Sequence, residues 1–157
     1  MKVVVQRSKE ASVSVHSKIV GSINYGLVLL VGFTNGDSIN EINYMVDKII
    51  NLRIFDDLNG VMNKSLIDVN GDILSISQFT LYADARKGRR PSYINALGGD
   101  EAIELYRLFN DKLRESLQSV NGKLRVEEGI FGEDMKVSLI NDGPVTIILE
   151  KEGDNNG

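Results

Sequence analysis

The period of hydrophobic and polar positions changes several times along the chain, and each change marks an element. Val3, Val4 and Val5 form a short apolar run. Residues 11–17 then alternate Val13 and Val15 with polar partners at period two, the mark of a strand with one buried face. Two further runs, 18–23 and 26–33, are broken by Asn24 and Gly26, and the spacing predicts an antiparallel meander. At Ser38 the period switches to that of a helix. Ser38 and Glu41 have capping-box spacing, and Ile39, Ile42, Val46, Ile49 and Ile50 recur on one stripe.

Residues 52–81 read as strands again, punctuated by the tight-turn pairs Asn59-Gly60 and Asn70-Gly71, with 72–81 as the last strand of the group. A second helix is predicted from about Asp100, with Ala102, Leu105, Tyr106, Phe109, Leu113 and Leu117 on one face and acidic residues in its first turn. Strands near 124–128, 137–140 and 145–149 follow. Between the last two, NDGPVT (141–146) reads locally as a turn. The pattern predicts a mixed α/β fold, mostly antiparallel strands with two main helices, in a single layered domain over residues 1–149. Residues 150–157 are polar and expected to fray.

Composition narrows the chemistry. The 157 residues include no cysteine, which excludes disulfides, thiolate nucleophiles and cysteine-bound zinc. The single histidine, His16, excludes a metal site built on several imidazoles of one chain, and no metal or other cofactor is expected. His16 falls in the alternating segment, out of phase with Val13 and Val15, and is expected to face solvent or a partner. The longest apolar run is too short to span a bilayer, and the start of the chain lacks a signal-peptide core, so a cytoplasmic location is expected.

A net charge of −4 does not describe a generally basic, nucleic-acid-coating protein, yet Arg86, Lys87, Arg89 and Arg90 fall within five residues just before Pro91. Such a cluster is either a solvated loop or a phosphate-contacting one. No glycine-rich phosphate loop is present. The neighbouring carboxylates Asp56-Asp57 and Glu127-Glu128 would point to opposite faces of a strand. Hydroxyl, amide and backbone groups remain. Ser77, Gln78, Phe79 and Thr80 place two hydroxyls and an amide at the end of an apolar strand, although Thr80 without a base is a poor nucleophile.

SQFTLYAD followed by RKGRRPS, with NDGPVT near the C-terminus, VVQR at the start, and NLRIF and FGEDM between, resembles the D-aminoacyl-tRNA deacylase family in order and spacing from Met1 to about Leu149. The resemblance implies a homodimeric hydrolase that frees D-amino acids from tRNA. It implies that Ser77, Gln78, Phe79 and Thr80 line the pocket for the terminal adenosine and its ester, with Thr80 or the terminal 2′-OH driving catalysis and the Phe79 backbone stabilising the oxyanion. Gly143 and Pro144 would form a Gly-cisPro motif entering the partner's pocket and rejecting L-residues, Arg7 would hold that motif, and Met135 would join the adenosine wall. Glycyl-tRNA would then also be cleaved. The basic cluster 86–90 would contact tRNA. Two other readings stay open: a non-catalytic dimeric module that binds RNA ends, and a structural dimerisation domain.

Overall fold

The computed structural model describes residues 1–153. Its central strand is β1 (Lys2–Val15), which is paired on both edges. On one edge lie β2 (Lys18–Ile23) and β3 (Gly26–Gly32), end to end, so that Val15 faces Lys18 and Lys2 faces Gly32. The predicted meander is therefore one long bent hairpin. Its two-residue turn is His16-Ser17, both at positive φ (49° and 65°), the backbone that suits a right-twisted hairpin. His16 thus sits at a hairpin tip and not in the strand where alternation placed it.

From β3 the chain crosses over through α1 (Ile39–Asn51) to β6 (Asp72–Ser77), which pairs with β3 in parallel. It crosses again through α2 (Gly99–Val120) to β7 (Val126–Glu128), parallel to β6. Between α1 and β6 only β4 (Phe55–Asp56) and β5 (Met62–Lys64) form, as a small hairpin around Asn59-Gly60. Asn70-Gly71 turns the chain directly into β6. The capping box is present: Glu41 accepts from the Ser38 N–H at 2.7 Å, and Ser38 Oγ accepts from the Asn40 N–H. Among the described residues no helix is long and apolar enough to cross a membrane.

Helices α1 and α2 cover one face of the sheet, where Leu27, Leu29, Val31, Ile42, Ile49, Phe109 and Leu113 are buried together. A smaller cluster of Ala11, Val13, Val28, Leu74 and Ile76 fills the other face. Val3 and Val5 belong to the first cluster, and Val13, of the same parity, belongs to the second. The reason is a bulge: three steps of β1 from Ser8 to Ala11 match two on its neighbour, so one extra residue reverses which way later side chains point.

The last strand, β8 (Lys136–Glu150), runs antiparallel to β1 along nearly its whole length. Residues 137–140 and 145–149, expected as two strands about a turn, are one strand. Glu150, the first residue of the expected frayed tail, pairs with Lys2, and Lys151 exchanges hydrogen bonds with Met1. Fraying therefore does not begin at 150, and residues 154–157 lie outside those described.

Strand β6 ends at Ser77, four residues earlier than the sequence suggests, and Phe79–Tyr82 form a 3-10 turn instead. Gln78 N–H donates to Val31 O at 2.7 Å, and Gly32 lets the turn pack closely, since a β-carbon there would stand 3.0 Å from Gln78 O. Buried Tyr106 of α2 donates to Ser75 O at 2.7 Å and fixes the helix to the strand one residue before the cleft. Removing that buried bond with Tyr106→Phe is expected to lower the unfolding free energy by about 1 kcal/mol, seen as a lower urea midpoint at unchanged m-value.

Candidate active site

Where β6 gives way to the 3-10 turn, a cleft of about 280 Å³ opens, lined by Ile76, Ser77, Gln78, Phe79 and, from the loop before β8, Phe131 and Met135. A second hollow of about 220 Å³ lies on the other side of Ser77–Phe79 and Phe131, with Gly32, Phe33 and Leu97 in its wall. The fold therefore brings Ser77, Gln78, Phe79 and Met135 together, from segments nearly sixty residues apart. Phe131 borders both spaces and belongs with them. Its signal was available in FGEDM, from which the sequence reading singled out only Met135.

A turn that starts a helix leaves its first N–H groups without intrahelical acceptors. The N–H groups of Phe79 and Thr80 have no acceptor among the described residues, and Gln78 makes no side-chain cap. Phe79 lines the cleft, and Thr80 is the next residue, outside the lining, so these two donors stand at and just beyond its edge, available for an anionic oxygen. Thr80 is exposed, and its hydroxyl accepts a hydrogen bond from the Gln78 side-chain amide. Among the described residues no imidazole or carboxylate is hydrogen-bonded to Thr80 Oγ1. Two carboxylates do border the cleft, Glu133 and Asp134, which the sequence reading did not consider. Asp134 is ion-paired with Lys136 at 3.1 Å, and Glu133 Oε2 stands 3.7 Å from His16 Nε2.

Gly143 and Pro144 occupy a bulge. Two steps along β1, Gln6 to Ser8, face five along β8, Asn141 to Thr146, so Asp142, Gly143, Pro144 and Val145 crowd opposite Arg7 alone. The local reading of NDGPVT as a chain-reversing turn is corrected here: the strand continues in the same direction on either side. The Gly143-Pro144 peptide is cis, Gly143 has φ of 132°, and both residues are exposed. Asn141 Oδ1 accepts from the Val145 N–H at 2.9 Å and braces the bulge from within.

Arg7 anchors the bulge from below. Its guanidinium is buried, 7% exposed, and donates through Nε to Asp142 O at 2.9 Å and through Nη1 to Ile54 O at 2.9 Å, with Asp56 Oδ1 at 3.3 Å. Asp56 was set aside in the sequence as half of an adjacent carboxylate pair. Its partner across 49 positions could not be read there.

The bulge and the cleft of one chain are far apart. Ser77 is registered through Val31 and Val3 to Leu149, whereas the bulge faces Arg7, four residues further along β1. Four residues along the strands and three strand spacings across give a separation on the order of 20 Å.

The basic cluster 86–90 stands on a loop closed at its base by paired backbone bonds between Asp84 and Ser92, at 2.7 and 2.8 Å. Arg86 forks onto Asp84 at 2.9 and 2.8 Å, and this pairing pulls the Asp84 carboxyl down to about 2. Among the described residues no carboxylate lies within 4 Å of Lys87, Arg89 or Arg90, so three of the four cations are free to act outward.

The sequence model of D-Tyr-tRNA(Tyr) deacylase matches residues 4–150. A curated D-aminoacyl-tRNA deacylase from Bacillus cytotoxicus is 55% identical over 152 residues, covering 97% of this chain and 100% of that one. One from Geobacillus sp. (strain WCH70) is 52% identical, covering 97% of this chain and 96% of that one. Among solved structures, the c-Myc DNA Unwinding Element Binding Protein superposes with a TM-score of 0.89 at 39% identity, over 98% of this chain and 100% of that one. A structure described as a "probable eukaryotic D-amino acid tRNA deacylase" has a TM-score of 0.79 at 20% identity, over 94% and 97%, a likeness of fold.

Because Arg7 bonds three groups as a planar fork, Arg7→Lys is expected to lower stability by about 2 kcal/mol and to raise amide exchange at residues 141–146 above that of the rest of β8. Uniform exchange along β8 would contradict the anchoring role.

Proposed function

The chain belongs to the D-Tyr-tRNA(Tyr) deacylase family, and on that footing we propose that it hydrolyses the ester joining a D-amino acid to the 3′ end of tRNA. Water adds to the ester carbonyl, the bond between that carbon and the ribose oxygen breaks, and the free amino acid and tRNA leave, the ribose oxygen taking up a proton. The observation that carries the reading is the pair of N–H groups at Phe79, which lines the cleft of about 280 Å³, and at Thr80 next to it, both without an acceptor among the described residues. They stabilise the oxyanion that forms as water adds. Ser77, Gln78, Phe131 and Met135 hold the terminal adenosine and its ester.

Thr80 is not the nucleophile in this reading, because among the described residues its hydroxyl has only the Gln78 amide as partner and an amide N–H cannot remove its proton. The terminal ribose 2′-OH activates the water or assists directly. Selection of D over L falls to Gly143 and Pro144, whose carbonyls accept the α-ammonium group and leave no room for an L side chain. Since the bulge lies far from the cleft of its own chain, it serves the cleft of a second copy, which makes the working unit a homodimer. Two features support that assembly: among the described residues β8 is paired on one edge only, and Ile140 and Ile148 are 56% and 70% exposed along it. Glycine has no side chain to exclude, so glycyl-tRNA is a substrate too. Lys87, Arg89 and Arg90 hold acceptor-stem phosphates, Arg86 contributing less because Asp84 already neutralises it. A cytoplasmic location fits these reactants.

Incubation with D-, L- and glycyl-tyrosine-acceptor tRNAs tests the reading. D-tyrosyl and glycyl esters are expected to be cleaved and L-tyrosyl esters spared. Binding without turnover would instead indicate an RNA-end binding module, and equal cleavage of both enantiomers would remove the selective role of Gly143 and Pro144. Thr80→Ala is expected to keep kcat within about tenfold, a change of 1.4 kcal/mol or less, whereas a terminal 2′-deoxy substrate should be nearly inert. Near-complete loss in Thr80→Ala with binding intact would restore Thr80 as nucleophile. Neutralising Arg89 or Arg90 should reduce the slope of log affinity against log salt by about 1 each, and Arg86→Gln by less.

A further inference from the structure

Beside the cleft lies an apolar surface that the ester chemistry leaves unused. The rings of Phe79 and Tyr93 meet edge to face, 5.2 Å between centroids and 66° between planes. Both remain open to solvent, 57% and 46% exposed, and neighbouring Ile94 is 80% exposed. Tyr93 follows Ser92, one foot of the basic loop, so the aromatic pair has the cleft at its Phe79 end and Lys87, Arg89 and Arg90 above its Tyr93 end.

Aromatic faces left uncovered beside unpaired cations suit single-stranded nucleic acid, because every base has a π-face and every linkage a negative charge. Single-stranded RNA ends in particular offer unstacked bases to such side chains. An acidic peptide would satisfy the cations but leave the ring faces without a planar partner. The strongly local charge, three free cations on a chain of net charge −4, favours a polyanion arriving from one direction.

We propose that Tyr93, with Phe79, forms a stacking platform for the unpaired base immediately 5′ of the terminal adenosine of the tRNA, while Lys87, Arg89 and Arg90 hold the phosphates further 5′. This rests on the reading that the cleft takes the terminal aminoacyl-adenosine. The platform registers the 3′ end: with the penultimate base seated on Tyr93, the terminal ribose is carried one nucleotide further, to the N–H groups of Phe79 and Thr80. Tyr93 is a binding and positioning residue and touches no reacting atom.

The test titrates the protein with the uncharged oligoribonucleotide ACCA and with the same oligomer made abasic at its third position. For ACCA, Tyr93→Ala is expected to weaken binding by roughly 5- to 150-fold, the range of one base–aromatic stack, and Tyr93→Phe by about twofold at most. The abasic oligomer should bind the wild-type protein as weakly as ACCA binds Tyr93→Ala, with little further loss when both changes are combined. Equal weakening of both oligomers by Tyr93→Ala would overturn the proposal, since Tyr93 would then act through the terminal nucleoside or the fold. So would wild-type affinity indifferent to the missing base, a comparison that stands even if Tyr93→Ala does not fold, or no binding of ACCA at millimolar concentration. Deacylation of D-tyrosyl-tRNA by the same wild-type preparation separates the two readings. Hydrolysis with base-independent binding sinks the platform alone, whereas base-dependent binding without hydrolysis sinks the catalytic reading and leaves the platform standing.

Discussion

Strand β1 is hydrogen-bonded on both edges over almost all of its fourteen residues, and the position of each site residue follows from its register. On one side it sets β3, and β3 sets β6 and so the height at which Ser77 ends and the Phe79–Tyr82 turn begins. On the other side it sets β8 and so the height of the Gly143-Pro144 bulge. A slip of one residue would turn every side chain of β1 to the opposite face, and two apolar clusters on opposite faces forbid it. The separation between the cleft and the bulge is therefore a fixed dimension of the sheet and not a matter of loop flexibility.

Backbone groups carry much of the candidate chemistry, and the fold secures them with two buried side chains and one main-chain bond. Tyr106 ties α2 to Ser75 O, Gln78 N–H ties the turn to Val31, and Arg7 ties the bulge to Ile54 O and Asp142 O. The Tyr106 and Arg7 bonds run from buried side chains to main-chain carbonyls, and they cost more to break than a surface contact because the freed groups have no water to turn to. Such bracing suits a site whose donors are main-chain N–H groups, since these can be aimed only by fixing the chain that carries them. The basic loop follows a different logic: it is closed at Asp84 and Ser92 and otherwise presents cations to solvent, where salt screens them.

Local patterns identified the helices well. The Ser38–Glu41 capping box and the apolar stripes of α1 and α2 act within one turn, so their cause lies in neighbouring residues. The family was legible too, because the motifs around Ser77, Arg86 and Gly143 keep their order along the chain. Strand arrangement was not. A meander and a bent hairpin share the same alternation, and what distinguishes them is that β3 pairs with β1, beside the stretch that β2 uses, instead of with β2. Phe131, Glu133 and Tyr93 were not singled out, and Asp56 was weighed only with its neighbour Asp57, because their contacts run to residues dozens of positions away or through a ring contact that spacing does not encode.

NDGPVT shows where the division falls. The residue types by themselves determined that the chain must depart from a regular ladder there, since glycine frees φ and proline removes a donor. Whether the departure reverses the chain or swells within a continuing strand depends on what lies on each side of it. That was decided by β1, which pairs with residues 146–150 through its first half and with 136–141 through its second. Sequence specified the composition of the site, the lack of a thiol or a second imidazole, and the local helices. Tertiary pairing decided which backbone groups face the cleft and how far away the bulge stands, because register is a property of two strands and is written in neither one alone.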